Sequence, residues 1–291
     1  MNHSAAFAVV GGDIRQAHLA ALLCADGHTV HTFALERHPV GGCAASSDPG
    51  SCFADVQAVI LPLPVLHGSD QLNAPLSSAA HTLVDVLDAI PPGTLTLAGA
   101  APFWVHARAV QNNLRLIDYL ARDELAIRNA VPTCEGALQL AMEQTDYTVH
   151  HARCLVIGCG RIGAMLARKL QALGAVVTVS ARTPRDFARI ESAGMAHLDT
   201  RRLAGQLAGF DLIFNTVPAP VLGTAELAGL QPSSLIIDLA SLPGGIAPDA
   251  TLPTGCRVLH ALSLPGKVAP RSAARAIYQT ICAILEEEGV L

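Results

Sequence analysis

The chain has 291 residues, 51% of them apolar and 15% charged, and a net charge of −5 from 19 basic and 24 acidic side chains. That composition supplies a sizeable core and excludes wholesale disorder, and the acidic excess argues against a nucleic-acid binder, which needs a basic stripe. The mean hydropathy is +0.40, yet no apolar run reaches the roughly 18–20 residues of a spanning helix. The best stretch, Val56 to Leu66, carries Gln57, Pro62 and Pro64 and reads as a buried strand. The opening MNHSAAFAVVGGD lacks the basic start and long apolar stretch of a secretory leader, so a soluble cytoplasmic protein is expected.

Two successive strand–turn–helix patterns organise the chain. The first strand is expected at Ala6–Val10, ending at Gly11–Gly12, and Ile14–Cys24 has helical apolar spacing stopped by Asp26–Gly27. Strands follow at Val30–Leu35 and Gln57–Leu63, with residues 36–54 read as a flexible loop between them. Ser77–Ile90 reads as a helix, Pro91–Gly93 as a turn, Thr94–Ala98 as a strand and Arg115–Tyr119 as a weaker strand. Thr133–Gln144 is expected to be a helix, with Pro132 before it, Thr133 as its cap and Glu135 in its first turn.

A second unit is expected from about Asp146–His151 onward. Its strands are read at Arg153–Ile157, Val176–Ala181, Asp211–Val217, Ser234–Ala240 and Arg257–Ala261, and its helices at Arg161–Leu173 and Arg185–Ala193. Ala269–Glu288 is a long terminal helix expected to return to the first domain. The alternation implies two doubly wound parallel α/β sheets, with domains at 1–146 and 147–268 and the terminal helix at 269–291.

Eight cysteines, at 24, 43, 52, 134, 154, 159, 256 and 282, form no Cys-x-x-Cys pair, and twelve histidines lack ligand spacing. No metal site or disulfide framework is expected, and the cysteines read as reduced, small apolar residues.

The clearest chemistry lies in Gly158-Cys-Gly160-Arg161-Ile162-Gly163, a G-x-G-x-x-G between an apolar strand and an amphipathic helix. Gly158 permits a tight turn, Gly160 lets the backbone approach a pyrophosphate, and Gly163 lets helix and strand pack closely. The first helical N–H groups, from Arg161 and Ile162 onward, then face the phosphates. An NAD site usually has Asp or Glu at the end of the next strand. Here that strand ends Ala181-Arg182-Thr183. Arg182 suits a 2′-phosphate or the adenine face, and Thr183 can donate to the same phosphate, so NADP is expected over NAD. Thr216, Val217 and Pro218 end another strand and would edge the same crevice, as would Ser241 after Asp238. Asp238 itself fits either a ligand role or a structural cap.

At this point the chain resembles a known family, the A subunits of dipicolinate synthase. The resemblance runs over nearly the whole length. It rests on Gly11-Gly-Asp13-Ile-Arg15-Gln16, Asn129-Ala-Val-Pro-Thr133-Cys-Glu135-Gly136, Gln144-Thr-Asp-Tyr-Thr-Val-His150 and the Gly158 motif. It continues through Asp238-Leu-Ala-Ser-Leu-Pro-Gly-Gly245 and Leu264-Pro-Gly-Lys267-Val-Ala-Pro270. One position departs: Ser263 stands where the family carries a glycine. The resemblance implies a flavodoxin-like N-terminal domain and a Rossmann domain. It implies NAD(P)-dependent oxidation of a dihydro- or hydroxytetrahydro-pyridine dicarboxylate. It further implies the dipicolinate synthase B subunit as partner, in the mother-cell cytoplasm during sporulation.

A small dicarboxylate needs orientation and charge neutralisation. Arg15, after Gly11–Gly12, has a guanidinium able to grip a carboxylate bidentately. Thr133, read as opening a helix, would offer free N–H groups to the other carboxylate. Lys267 and Glu135 are the candidates for acid–base work, with Glu135 also placed to orient Lys267, and Ser263 is a nearby hydrogen-bond donor. Asp13 reads as a cap with a chance of orienting Arg15. Two other functions stay open: a stand-alone NADP-dependent dehydrogenase of shikimate or hydroxyacid type, and a non-catalytic nucleotide-binding support protein. Self-association into a homo-oligomer stays open as well.

Overall fold

The structure, a computed structural model, describes residues 4–291. Residues 1–3, part of the stretch read for a leader, lie outside the described residues. The chain divides into two compact units: residues up to Asn129 together with Ala269–Leu291, and Ala130–Val268.

The first unit opens with β1 (Ala6–Val10), α1 (Ile14–Ala25) and β2 (Thr29–Phe33). The short β3 (Ala44–Ser46), α2 (Pro49–Phe53) and β4 (Ala58–Ile60) follow. A small antiparallel hairpin pairs β5 (Leu66–His67) with β6 (Gln71–Leu72). Then come α3 (Leu83–Ala89), β7 (Leu95–Ala98), α4 (Phe103–Gln111) and β8 (Arg115–Asp118). The six-stranded sheet has the order β3-β2-β1-β4-β7-β8, parallel throughout. Without the short edge strand β3, the order is the flavodoxin-like 2-1-3-4-5. Continuous buried runs such as Phe7–Val10 and Ala58–Ile60 need cover on both faces, which parallel sheets obtain from their crossovers. Alternation along the strands splits them: Phe7, Val9 and Ile60 pack with Leu19, Ile277 and Ile281, whereas Ala8, Val10 and Val59 pack with Phe53, Leu83 and Leu87.

The helix α5 (Asp123–Gln144) carries the chain into the second unit. There β9 (Arg153–Ile157), α6 (Arg161–Ala172), β10 (Val176–Ala181), α7 (Pro184–Ser192) and β11 (Ala196–Asp199) follow in turn. Next are β12 (Leu212–Asn215), α8 (Thr224–Leu227), β13 (Leu235–Asp238), β14 (Arg257–His260) and α9 (Leu264–Val268). The sheet order β11-β10-β9-β12-β13-β14 is again fully parallel. Finally α10 (Pro270–Glu287) packs on α1 in the first unit.

Several expectations are corrected. Residues 36–54 are not a flexible loop: they hold β3 and α2, with Asp48 accepting from Ser51 N at 2.8 Å and Cys52 and Phe53 buried beneath. The helix expected over Ser77–Ile90 starts only at Leu83, because Thr82 caps it by accepting from Asp85 N. The helix expected from Thr133 begins ten residues earlier, at Asp123, with Pro132 in its interior. Thr133 is therefore no N-cap and presents no free helical N–H groups; an interior proline leaves a carbonyl unpaired one turn back, not a donor. The division of the chain falls at Asn129, not near residue 146, because Cys134, Ala137 and Ala141 pack into the core of the second unit. The Pro-Gly-Lys stretch around Lys267, a loop by its sequence, is helical as α9, and the sequence pattern does not single out α4, α8 or β11.

Tyr119, in the 3-10 turn after β8, is fully buried, and its hydroxyl donates to the Leu61 carbonyl at 3.0 Å. Burial pushes its phenol well above the usual range, so it stays a donor. Tyr119→Phe removes that donor from a buried carbonyl and is expected to cost about 1–2 kcal/mol. The urea midpoint should fall accordingly; an unchanged midpoint would show that the bond carries no stability.

Candidate cofactor-binding site

In the second unit the order of strand connections reverses between β9 and β12, which is where a doubly wound sheet opens a crevice. The Gly158–Gly163 turn sits there. Gly158 has φ +100°, and a Cβ on it would lie 2.6 Å from Thr216 Oγ1. A Cβ on Gly163 would lie 2.0 Å from the Gly158 carbonyl oxygen. Both glycines are thus demanded by the protein's own packing. Gly160 differs: it has an ordinary φ of −81°, and its missing Cβ faces open space with no protein atom within 4 Å. A glycine that packing does not require, at the N-cap of α6, fits a backbone that must approach something outside the chain. That open cradle and the N-terminus of α6 suit a pyrophosphate.

A cavity of about 760 Å³ opens over this turn. It is lined by Gly158, Gly160, Arg161 and Ile162 from the turn and by Thr216, Val217 and Pro218 after β12. Arg182 and Thr183 form its wall after β10. Gly163 lies outside the lining and acts through packing. The Thr216 hydroxyl donates to the Ile157 carbonyl at 2.9 Å, which holds the β12 end against β9.

Three lining residues beyond those read from sequence set the charge: Arg185, Arg189 and Asp186. The arginines follow from α7, whose register puts 185 and 189 one turn apart. Asp186 sits 3.8 Å from Arg185 and 3.7 Å from Arg189, so one carboxylate faces several guanidinium groups and the wall stays cationic. Thr183 is corrected: its hydroxyl caps α7, accepting from Asp186 N at 3.2 Å and donating to Asp186 Oδ2 at 2.7 Å. Its hydrogen is therefore not offered to a phosphate.

A second cavity, of about 270 Å³, shares Ile162, Thr216 and Pro218 with the first. It brings together Thr133, Ser241 and Ser263, three hydroxyl residues from separate stretches of the chain. Thr133 reaches it from the middle of α5. Leu239, Leu264 and Pro265 add apolar wall, and no charged residue lines this cavity. Ser263 has φ +60°, the left-handed region where glycine fits at least cost.

The loop bearing Ser241 is held by Asp238, which is 1% exposed. Its carboxylate accepts from Ala240 N, Gly245 N and Asn215 Nδ2, at 3.1, 2.8 and 2.8 Å. Of the two roles open for Asp238, the geometry is that of a structural cap.

The catalytic candidates lie on neighbouring elements, since Gly136 of α5 faces Leu264 and Val268 of α9. Glu135 is half-exposed and takes Lys169, at 3.1 Å, as its ion-pair partner. Lys267 is exposed on α9 and does not line the small cavity. In the first unit, Arg15 is largely buried and its fork is already occupied: Nε and Nη2 each lie 2.9 Å from an Asp13 oxygen, and Nη2 also donates to the Leu63 carbonyl at 2.7 Å. The Nε/Nη2 edge of the guanidinium thus pins Asp13 and the Leu63 carbonyl, and a bidentate grip on a substrate carboxylate through that edge would have to displace Asp13. Among the described residues there is no cluster of three His, Cys, Asp or Glu placed to hold a metal, and no helix is long and apolar enough to cross a membrane.

Gly160→Ala is expected to fold normally and to weaken dinucleotide binding by tenfold or more, about 1.4 kcal/mol, because the new methyl fills only the cradle. Gly163→Ala should instead lower stability by about 1–3 kcal/mol, since backbone must move. Melting curves and nucleotide titrations on both variants check this; equal melting losses would remove the distinction.

Residues 6–120 match the model for the N-terminal domain of the dipicolinate synthase A subunit, and residues 135–285 match that for the alanine dehydrogenase/PNT C-terminal domain. The chain is 32% identical over 283 residues to the dipicolinate synthase A subunit of Bacillus subtilis strain 168, covering 96% of this chain and 95% of that one. The crystal structure of the Bacillus subtilis dipicolinate synthase A chain superposes with a TM-score of 0.88 at 31% identity, over 99% of this chain and 97% of that one. That of the A subunit from Bacillus halodurans gives 0.87 at 29%, over 97% of each. The open glycine cradle therefore lies in an NAD(P)-binding dehydrogenase-type domain, and the chain belongs to the family of dipicolinate synthase A subunits.

Proposed function

We propose that this chain is the oxidoreductase component of dipicolinate synthase and that it oxidises a dihydro- or hydroxytetrahydro-pyridine dicarboxylate to pyridine-2,6-dicarboxylate with NADP. Family membership supports the reaction class. The cofactor choice rests on one observation: Arg182, directly after the end of β10, stands on a wall shared with Arg185 and Arg189, where an NAD site would carry an acid for the ribose hydroxyls. A guanidinium at that place favours a 2′-phosphate.

When bound, the nicotinamide supplies the hydride acceptor. The residues of this chain do the holding. The first N–H groups of α6 and the bare Gly160 take the pyrophosphate. Arg182 takes the 2′-phosphate. The small cavity continues past Ile162 and Thr216 and would hold the reacting ring among Thr133, Ser241 and Ser263, whose hydroxyls fix orientation while Leu239, Leu264 and Pro265 exclude water. Aromatisation needs one proton to leave beside the hydride, and from the hydroxylated precursor a water as well. No titratable side chain of the small cavity takes that proton, so Lys267 and Glu135 are not assigned to it.

That same neutral lining favours a second reading, in which the chain binds the nucleotide in support of the B subunit and does not itself house the chemistry. Both readings place it beside the B subunit in the cytoplasm of the sporulating mother cell. Following reduced-nicotinamide absorbance during product formation, with and without the B subunit, separates them. Cofactor turnover by this chain alone supports the enzyme, and turnover only with its partner supports the second reading.

The cofactor choice is tested by titration. The wild-type chain should bind NADP(H) more tightly than NAD(H), and Arg182→Asp should invert the order by restoring an acid for the ribose. NAD(H) binding at least as tightly as NADP(H) to the wild type would overturn the assignment.

A further inference from the structure

In the first unit, Cys24 and Cys43 bring their thiols together. Cys24 lies in the last turn of α1, and Cys43 immediately precedes β3. Their sulfur atoms are 2.7 Å apart, and Cys43 Sγ also faces the Ala20 carbonyl. Both side chains are only partly buried, so a small reagent can reach them. The pairing is held by structure on both sides. Cys24 is carried by a helix whose Leu19, Ala20 and Leu23 are fully buried. The Cys43 backbone N–H donates to the Val40 carbonyl, and β3 then pairs with β2 from Ala44 onward. No other two cysteines among the described residues are in contact. Neither thiol belongs to the nucleotide cradle.

We propose that Cys24 and Cys43 form a site of reversible covalent modification, an intramolecular disulfide made by a hydroperoxide, which ties α1 to the connection entering the edge strand β3. The Cys24 sulfur attacks the peroxide oxygen, the O–O bond breaks, and Cys24 becomes a sulfenic acid while an alcohol, or water from hydrogen peroxide, departs. The Cys43 sulfur then attacks the Cys24 sulfur, the S–O bond breaks, and hydroxide leaves as water with the Cys43 proton. Two thiols are oxidised and one peroxide is reduced. Burial and the neighbouring Cys24 push the Cys43 thiol up to about 12, which disfavours Cys43 as the first attacker. The tie would close the stretch between α1 and β3, a segment that includes Arg37 on the wall of a 350 Å³ cavity of the first unit. Cross-linking such a loop restricts the unfolded chain and raises stability.

The test treats the full chain with hydrogen peroxide, caps remaining thiols with iodoacetamide and maps peptides by mass spectrometry. The expected product is a Cys24–Cys43 linked peptide with a mass loss of two hydrogen atoms, reversed by dithiothreitol and absent in Cys24→Ser and in Cys43→Ser. The thermal midpoint of the wild type should rise by about 5 °C on oxidation, with no rise in either variant. The proposal is overturned if both thiols remain open to alkylation after treatment. It is equally overturned if they carry separate oxygen adducts without a linked peptide, or if either one pairs with a different cysteine.

Discussion

A contact of backbone on backbone fixes the second unit. With no side chain at 163, α6 sits so close to the end of β9 that a Cβ there would overlap the Gly158 carbonyl oxygen at 2.0 Å. The same turn is pressed by Thr216, whose hydroxyl is bonded to Ile157 and leaves no room for a side chain on Gly158. Strand β9, helix α6 and the end of β12 are therefore locked to one another through two glycines. Only because those two are fixed does the third, Gly160, stand clear, with the N-terminus of α6 directed across it. The cradle is a by-product of tight packing beside it.

The first unit has the same strand order and a paired glycine at the equivalent strand end, yet its turn is closed. The Gly12 N–H donates to the Asn73 carbonyl, and a Cβ on Gly11 would meet Asn73 O and Leu72 at 3.1 Å. The chain's own segment after the β5–β6 hairpin packs directly on this glycine pair. Arg15, one turn on, is bonded to Asp13 and Leu63 and helps to hold that plugged arrangement. Identical topology thus gives one open crevice and one filled crevice, and the difference lies in a few residues of loop, which is why fold alone does not assign function.

What is legible in the sequence is local. The apolar strands announce themselves because parallel strands are buried on both faces, and the G-x-G-x-x-G works through neighbours within six residues. Arg182 is legible for the same reason. Features set by distant chain are not. Pro132 reads as a helix boundary, but packing of Cys134, Ala137 and Ala141 outweighs the lost hydrogen bond and the helix runs through it. Thr183 reads as a free hydroxyl, but the cap it forms three residues before Asp186 consumes it. Arg185 and Arg189 need the register of α7, which starts one residue earlier than its sequence pattern suggests. Ser263 reads from the sequence only as a hydrogen-bond donor close to Lys267, and its position beside Thr133 and Ser241 arises from three separate stretches of chain.

The two cavities also differ in charge in a way that bears on how a ligand enters. Guanidinium groups gather around the larger one, at the start of α6, just after β10 and along α7, whereas the smaller one is lined without charge. Between them lie Ile162, Thr216 and Pro218. The neutrality of the small cavity is maintained at some cost, because Asp238 lies just behind its wall as a buried carboxylate. Its charge is absorbed by two backbone N–H groups and the Asn215 amide, with His260 3.7 Å away. A Cβ on Gly245 would strike Asn215 Nδ2 at 1.9 Å, so the loop can close over this network only as glycine. A dinucleotide has its phosphates at one end and, at the other, a nicotinamide ring that carries no anionic group, so it meets a surface graded in the same sense. Reversing it would place phosphates against a wall with no cation and leave the arginines facing no anion. The gradient selects one direction of binding, and Asp238 preserves it by keeping its own charge out of the cavity it supports.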